Sequence, residues 1–394
     1  MLKKFGFKNS YSFQDWVELD MSVELAETDR IAAIYGKNAS GKSNLIKALF
    51  DMVDDILYKT LLAFLRLPHA PFLKIIQDRQ FKFCPVDNRS DSLQYHICMV
   101  IENTEFTLKY TLAPEGVEYE ELIKQDLKPN AQPEVLYKRY NFQECEPVND
   151  SIMAKHIDLM KKSNESRLWF SRIAPDHGEL QSFYQWFVNV HGSTQYRRQE
   201  VSPDLKLQAL ANLIATNNTD EMRDFLHRLE TFAKCLDSSI TGIEVRKVQG
   251  SYTFEIYHKT VNDEGISLGL GCESKGTLRL LSEFISIYDS FVGCGVPYIC
   301  DELDNALHPS AFLQIARMFN DPKINVKNAQ LIFTADDTIA LDSNIMRHDQ
   351  VHIVDKNDYS VSTVTRLSEM EHVEKFRGEN FGSFPEMFNQ CFEP

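Results

Sequence analysis

Gly36-Lys37-Asn38-Ala39-Ser40-Gly41-Lys42-Ser43 fits the phosphate-binding pattern G-x-x-x-x-G-K-[ST], and it follows the apolar run Ile31-Ala32-Ala33-Ile34-Tyr35. A strand, a glycine-rich loop and a helix in that order let successive backbone N–H groups close around a polyphosphate, with the positive end of the helix dipole behind them. Lys42 is expected to reach the β- and γ-phosphates of a nucleotide, and Ser43 to offer its hydroxyl to a bridging magnesium ion. The run of expected nucleotide contacts extends to Asn44.

Outward from this loop, Phe5–Phe13 and Val17–Val23 read as two strands at a sheet edge that lead into the P-loop strand. After Ser43, apolar residues at Leu45, Leu49, Val53, Ile56, Leu57, Leu61, Phe64 and Leu65 keep helical spacing until Pro68. From Phe72 to about Tyr140 the pattern turns to alternation, as in Tyr95–Ile101 and Glu105–Thr111, and predicts antiparallel hairpins. Asp150 to about Leu236 is helical in pattern; Met222, Phe225, Leu226, Leu229, Phe232 and Ala233 make one apolar stripe, the mark of a core-facing helix. Two further strands, Gly242–Val248 and Tyr252–His258, follow. Residues 61 to about 240 thus read as a long insertion between two halves of one nucleotide site. No internal repeat or low-complexity tract appears.

The second half of the site begins at Val296-Pro297-Tyr298-Ile299-Cys300-Asp301-Glu302, a short apolar run ending in two carboxylates. Set at the end of a strand beside the P-loop, Asp301 would hold magnesium and Glu302 would orient and deprotonate an attacking water. A strand ending in Asp-Glu is common as a solvated turn when it stands alone; with the P-loop upstream it points to ATP with Mg2+ and to phosphohydrolysis. Cys300 reads as a buried strand residue, since a catalytic thiol needs an electropositive, exposed site. Between the two motifs, Gly269-Leu270-Gly271-Cys272-Glu273-Ser274-Lys275-Gly276-Thr277 opens a helix and offers a second anion-binding terminus, although such a turn also serves as a plain helix cap.

With these motifs the sequence resembles the ABC-type ATPases of the SMC and recombination-repair branch, and especially the small bacterial AAA-family ATPases that accompany anti-phage and abortive-infection systems. The resemblance spans residues 1–60 and about 225–385. It implies an α/β fold: an ABC-type P-loop ATPase head with an antiparallel β edge and a large, mainly helical insertion. The head would take residues 1–60 and 240–394, a β-rich lobe 61–145, and the helical insertion 146–239. The resemblance makes Ser274, Lys275 and Gly276 the signature loop that closes over the ATP of the opposite subunit in a head-to-tail homodimer. It makes Leu303-Asp304-Asn305-Ala306-Leu307-His308-Pro309 the dimer-contacting D-loop, with Pro309 in the first turn of the next helix. His308 is open to two readings, a local helix-start bond or a contact across subunits. In Gln330–Thr338, the strand and switch loop, Asp336 stands where the family usually has histidine, and an ionised carboxylate cannot donate to a γ-phosphate; slow hydrolysis is the expectation. Phe376–Pro385 resembles the family's C-terminal turn.

Composition bounds the rest. At 394 residues the chain holds two or three domain-sized units, and 43% hydrophobic with 25% charged residues is the profile of a globular protein. With 42 basic against 57 acidic side chains the net charge is -15, so any nucleic-acid contact must be a local patch. Eight cysteines without a C-x-x-C pair, no leader-like start and no membrane-length apolar stretch suit a reducing cytoplasm and no membrane contact. Arg172–His177 has the R-x-x-x-x-H spacing of some RNases, but Pro175 interrupts the helix that chemistry prefers. The absence of a long heptad run argues against a long-armed chromosome clamp. The leading expectation is an ATPase whose ATP-driven dimerisation senses or regulates, as a homodimer or a larger assembly, with a toxin or nuclease effector on a separate polypeptide. Two alternatives stay open: a DNA-binding repair ATPase, with Tyr196-Arg197-Arg198 and Arg246-Lys247 as its patch, and the ATP-binding subunit of a membrane transporter, which the central insertion disfavours.

Overall fold

The computed structural model describes residues 1–23, 28–65, 78–82, 92–146, 148, 150–162, 167–192, 202–217, 219–262, 265–292, 297–305, 307–337, 341 and 345–370, and only the backbone at 58–65, 191–192 and 235–236. The Tyr196–Arg198 patch, Ala306, Thr338 and the Phe376–Pro385 turn lie outside the described residues.

All five residues of β3 (Ile31–Tyr35) are buried, and the two-residue alternation of a strand divides them between two cores. Ile31, Ala33 and Tyr35 pack on one side of the sheet and Ala32 and Ile34 on the other. A strand covered on both faces belongs inside a parallel sheet. Accordingly β3 pairs in parallel with β13 (Leu331–Thr334) and with β14 (Val351–Lys356), in the order β12-β13-β3-β14-β15. β12 (Tyr298–Cys300) runs parallel to β13, and β15 (Ser362–Arg366) closes the edge antiparallel to β14. The sequence places the acidic strand directly beside the P-loop strand; in the structure β13 lies between them, because its Leu331-Ile332-Phe333 run is apolar on both faces and fills that central place.

α1 (Lys42–Leu65) leaves the P-loop and runs between this parallel sheet and an antiparallel one. The antiparallel sheet has the order β2-β1-β4-β5-β6-β7-β8. Its strands are β1 (Leu2–Lys8), β2 (Val17–Asp20), β4 (Leu93–Ile101), β5 (Thr104–Ala113), β6 (Gly116–Asp126), β7 (Glu134–Tyr140) and β8 (Glu144–Cys145). Leu45, Leu49, Val53 and Ile56 of α1 share one core with Phe5, Tyr95 and Leu108 of the antiparallel sheet and with Ile34 and Ile332 of the parallel one. Burying each such side chain contributes about 1.5–3 kcal/mol, so the helix that presents the phosphate loop is held from both sides. β1 stops at Lys8 and not at Phe13: Asn9 and Tyr11 take positive φ values of 60° and 53°, and a Ser10–Phe13 bridge closes a tight turn.

The helices after β8 divide between two cores. α2 (Ser151–Lys162), α3 (Phe170–Ile173) and α4 (Gly178–Gly192) cover the antiparallel sheet through Ile157, Phe170, Phe183 and Phe187. The fully buried Glu120 fastens them to the sheet, accepting from the Trp169 and Phe170 backbone at 2.8 Å each and from Tyr137 Oη at 2.7 Å, with Arg139 3.6 Å away. α5 (Pro203–Asn217) and α6 (Asp220–Leu236) instead join a three-stranded sheet of β9 (Ile240–Val248), β10 (Ser251–Lys259) and β11 (Gly265–Gly269), together with α7 (Lys275–Phe291). In that third core Phe225, Leu229 and Ala233 of the expected apolar stripe are buried against Phe254, Leu281 and Phe284. α8 (Pro309–Asn320) packs Phe312, Ile315 and Phe319 on the outer face of the parallel sheet. No helix of the described residues is long and apolar enough to cross a membrane.

Candidate nucleotide site

β3, β12 and β13 are parallel, with Cys300 opposite Phe333 and Thr334 opposite Ile34, so all three end at one rim. The carboxyl ends of strands in an open parallel sheet are where ligands bind. Here that rim receives Gly36–Ser43 from β3, Asp301 and Glu302 from β12, and Asp336 from β13.

The loop is clamped before any ligand chemistry is considered. A Cβ on Gly36 would stand 2.2 Å from the Val354 carbonyl oxygen. One on Gly41, whose φ is +121°, would stand 2.7 Å from both Ser12 Oγ and Ser362 Oγ. Only glycine fits either place. Asn44 Nδ2 donates to Ser12 Oγ at 3.0 Å, and the Ser362 hydroxyl donates to the Ser40 carbonyl, so the tight turn after β1 and the start of β15 press on the loop from two sides. Lys37, Asn38 and Ala39 form its exposed crest, Ser40, Gly41 and Lys42 its buried base, and Ser40 Oγ is buried without a hydrogen-bond partner among the described residues.

Lys42 Nζ donates to the carbonyls of Gly36 at 2.6 Å and Lys37 at 3.3 Å, and lies 2.8 Å from Asp336 Oδ1. Ser43 Oγ donates to Asp301 Oδ1 at 3.2 Å. One hydroxyl and one carboxylate at an open rim is the sparse, hard-oxygen donor set that magnesium uses when phosphates complete its shell, so Ser43 and Asp301 fit that ion. The expected phosphate-loop lysine, metal hydroxyl and acidic pair therefore converge.

Sequence reasoning missed what holds the acidic pair. Thr334 Oγ1 donates to Asp301 Oδ1 at 2.7 Å and accepts the Glu302 backbone N–H at 2.7 Å. Glu302 is exposed and has a φ of +53°, a conformation that a non-glycine residue keeps only when its neighbours fix it; the Leu303 N–H bond to the Thr334 carbonyl, 2.9 Å, adds to that grip. A hydroxyl at the C-terminal end of a strand beside the P-loop strand was the available signal. Thr334→Val replaces that hydroxyl with a methyl group and is expected to lower stability by about 1–2 kcal/mol, since a backbone donor and a carboxylate each lose a partner. Denaturant unfolding with an unchanged m-value checks this; equal midpoints for variant and parent would refute the role. Asp304, expected in the dimer-contacting D-loop, has a local role that sequence reasoning missed: its Oδ2 accepts the backbone N–H groups of Asp336 at 2.9 Å and Asp337 at 2.7 Å.

The Ser274 loop opens α7. Ser274 is the N-cap of α7, accepting from Thr277 N at 3.1 Å, and Ser274 and Lys275 are exposed while Gly276 is half-buried. His258 Nε2 lies 2.9 Å from Glu273 Oε1 and its Nδ1 2.9 Å from Ser239 Oγ, which ties the residue before Ser274 to β10. His308 caps α8 locally, its Nδ1 accepting from Ser310 N at 3.2 Å, and Pro309 opens that helix. Burial and the nearby Glu283 push the Cys300 thiol up to about 12, which leaves it inert. Pro175 is the middle residue of a 3-10 turn, Ala174–Asp176, between Arg172 and His177.

A family model described as "AAA domain, putative AbiEii toxin, Type IV TA system" matches residues 31–335, a span that runs from β3 to the residue after β13. The chain belongs to this family. It is an ATP-binding ATPase of the AAA type, built on the mixed α/β fold described above. Among solved structures the chain is similar to "Crystal structure of the SmcHead bound to the C-winged helix domain of ScpA", at 16% identity over 95% of this chain and 99% of that one, with a TM-score of 0.49. It is also similar to the "SMC head domain from Thermotoga maritima", at 16% identity over 93% and 98%, with a TM-score of 0.46. A comparison with curated proteins finds none that matches.

Proposed function

We propose that this family member hydrolyses ATP in a head-to-tail homodimer and that closure and reopening of the dimer control a separate effector protein, a toxin or nuclease, in anti-phage defence. The observation that carries this reading is the division of labour at the rim. Lys42, Ser43, Asp301 and Glu302 converge on one place, while Ser274 sits exposed at the start of α7 and makes its contacts within its own helix. Gly36 to Asn44 cradle the phosphates, Ser43 and Asp301 hold magnesium, and Glu302 takes the proton from the attacking water. Ser274, Lys275 and Gly276 then serve the ATP of the partner subunit, where an exposed helix N-terminus suits a γ-phosphate. Residues 1–60 and 240–394 act as the head, 61–145 as its β-rich lobe, and 146–239 as the helical insertion that passes the movement on. The family's description names a type IV toxin-antitoxin system, which supports action together with a second protein, and the cysteine usage suits a reducing cytoplasm as the compartment. For a DNA-binding repair ATPase, Arg246 and Lys247 are the described candidates; Arg246 is already engaged by Glu255 at 3.1 Å and Glu244 at 3.6 Å, and Lys247 Nζ lies 5.6 Å from the centroid of the Tyr252 ring.

Mixing two inactive chains tests the dimer. In a one-to-one mixture of Lys42→Ala and Ser274→Arg, half the dimers are mixed and each of those has one intact composite site, so hydrolysis is expected to return to about a quarter of the parent rate. A mixture as inactive as its components, with mixed dimers demonstrated, would rule out the head-to-tail arrangement.

A further inference from the structure

Lys42 is 8% exposed and has three oxygens around its ammonium group, two of them carbonyls of its own loop. The third is Asp336 Oδ1 at 2.8 Å, the one full negative charge of the three. The lysine of such a loop carries the β- and γ-phosphates. The carboxylate therefore stands on Lys42 where an oxygen of the γ-phosphate would stand. Its side chain is 55% exposed, so nothing confines it there except the ion pair and its own backbone. That backbone is fixed: the Asp336 and Asp337 N–H groups both end on Asp304 Oδ2, two residues beyond Glu302.

We propose that Asp336 is a specificity-determining residue that sets the balance between nucleoside diphosphate and nucleoside triphosphate at this site. A diphosphate leaves the Lys42–Asp336 pair standing, with the carboxylate beside the β-phosphate in the place of the missing group. A triphosphate brings a second anion to the same cation and drives the carboxylate away. Discrimination by a like charge built into the site acts against one ligand and spares the other. Since Asp304 grips the amides of residues 336 and 337, expelling the carboxylate pulls on the turn that carries Glu302, and arrival of the third phosphate is felt at the acidic pair. The inference rests on the reading of Gly36–Ser43 as the nucleotide loop.

Equilibrium binding of ADP, ATP and the β,γ-imido analogue of ATP to the full-length chain with magnesium tests it. Asp336→Asn and Asp336→Ser both remove the charge, with different shapes. Each is expected to shift the ratio of triphosphate to diphosphate affinity toward triphosphate by about tenfold, mostly through tighter triphosphate binding. Asp304→Asn weakens the hold on the two amides and is expected to shift the ratio in the same direction by a smaller factor. A ratio unchanged in both Asp336 variants overturns the proposal. Lys42→Ala separates this failure from a deeper one: if that variant binds ADP and ATP as the parent does, Gly36–Ser43 is not the nucleotide loop and the function proposed above falls with this inference; if it loses both while the ratio in the Asp336 variants stays fixed, only the role of Asp336 falls.

Discussion

Lys42→Ala is expected to yield a folded protein that neither retains ATP nor turns it over. The side chain is nearly buried, and its contacts are two carbonyls of its own loop and one half-exposed carboxylate. Its loss therefore strands no deeply buried charge, and the fold should survive. Hydrogen bonds to charged groups are worth about 1.5–3 kcal/mol each, so removing the lysine's contacts to two phosphates lowers ATP affinity by about a hundredfold or more. Titration with ATP, alongside thermal unfolding of variant and parent, checks both halves. Affinity within about threefold of the parent would show that Lys42 does not face the phosphates.

Glu302→Gln is expected to separate binding from turnover. Glutamine keeps the length and shape of the side chain, and the backbone bond from residue 302 to Thr334 does not depend on the carboxylate, so the unusual φ of that position is preserved. What goes is the base. General-base catalysis contributes about 10²–10⁴-fold, and phosphate release should fall by that range while ATP affinity stays near the parent value. The variant should then accumulate as a closed dimer in ATP, visible as a doubled mass by light scattering. Phosphate release at the parent rate would exclude Glu302 as the base.

The legible parts of this molecule were those whose signals are contiguous. The apolar run, glycine loop and helix at Ile31–Leu65 announce themselves within one stretch, and the alternation of β4 and β5 around the tight turn at Glu102 fixes a hairpin locally. The meeting of Ser43 and Asp301, the proposed metal pair, was also within reach, because each sits in a motif with its own spacing. What stayed hidden depends on pairing across the chain. The apolar Leu331–Phe333 run marks a strand buried on both faces but does not say that its neighbours are β3 and β12, so the Thr334 hydroxyl was a signal without a target, and neither its double grip on Asp301 and Glu302 nor the seat of Asp304 under residues 336 and 337 could be assigned. The apolar stripes of residues 150–236 likewise said that the helices bury a face, but not that α2–α4 cover the antiparallel sheet while α5 and α6 carry the three-stranded one. Amphipathicity specifies burial without naming the partner.

β3 is flanked on both sides by strands made some 300 residues later, and it has no neighbour from its own end of the chain. During synthesis the phosphate loop therefore leaves the ribosome attached to a strand that has nothing to pair with. At about 5–20 residues per second, roughly 15–60 s pass before β13 and β14 emerge to receive it. The antiparallel sheet can assemble meanwhile from the first 145 residues, and α1 can lie down on it. A newborn chain is then blind to nucleotide for most of its translation and gains its chemistry in one late step, which also makes that fully apolar strand the segment a chaperone has most reason to hold.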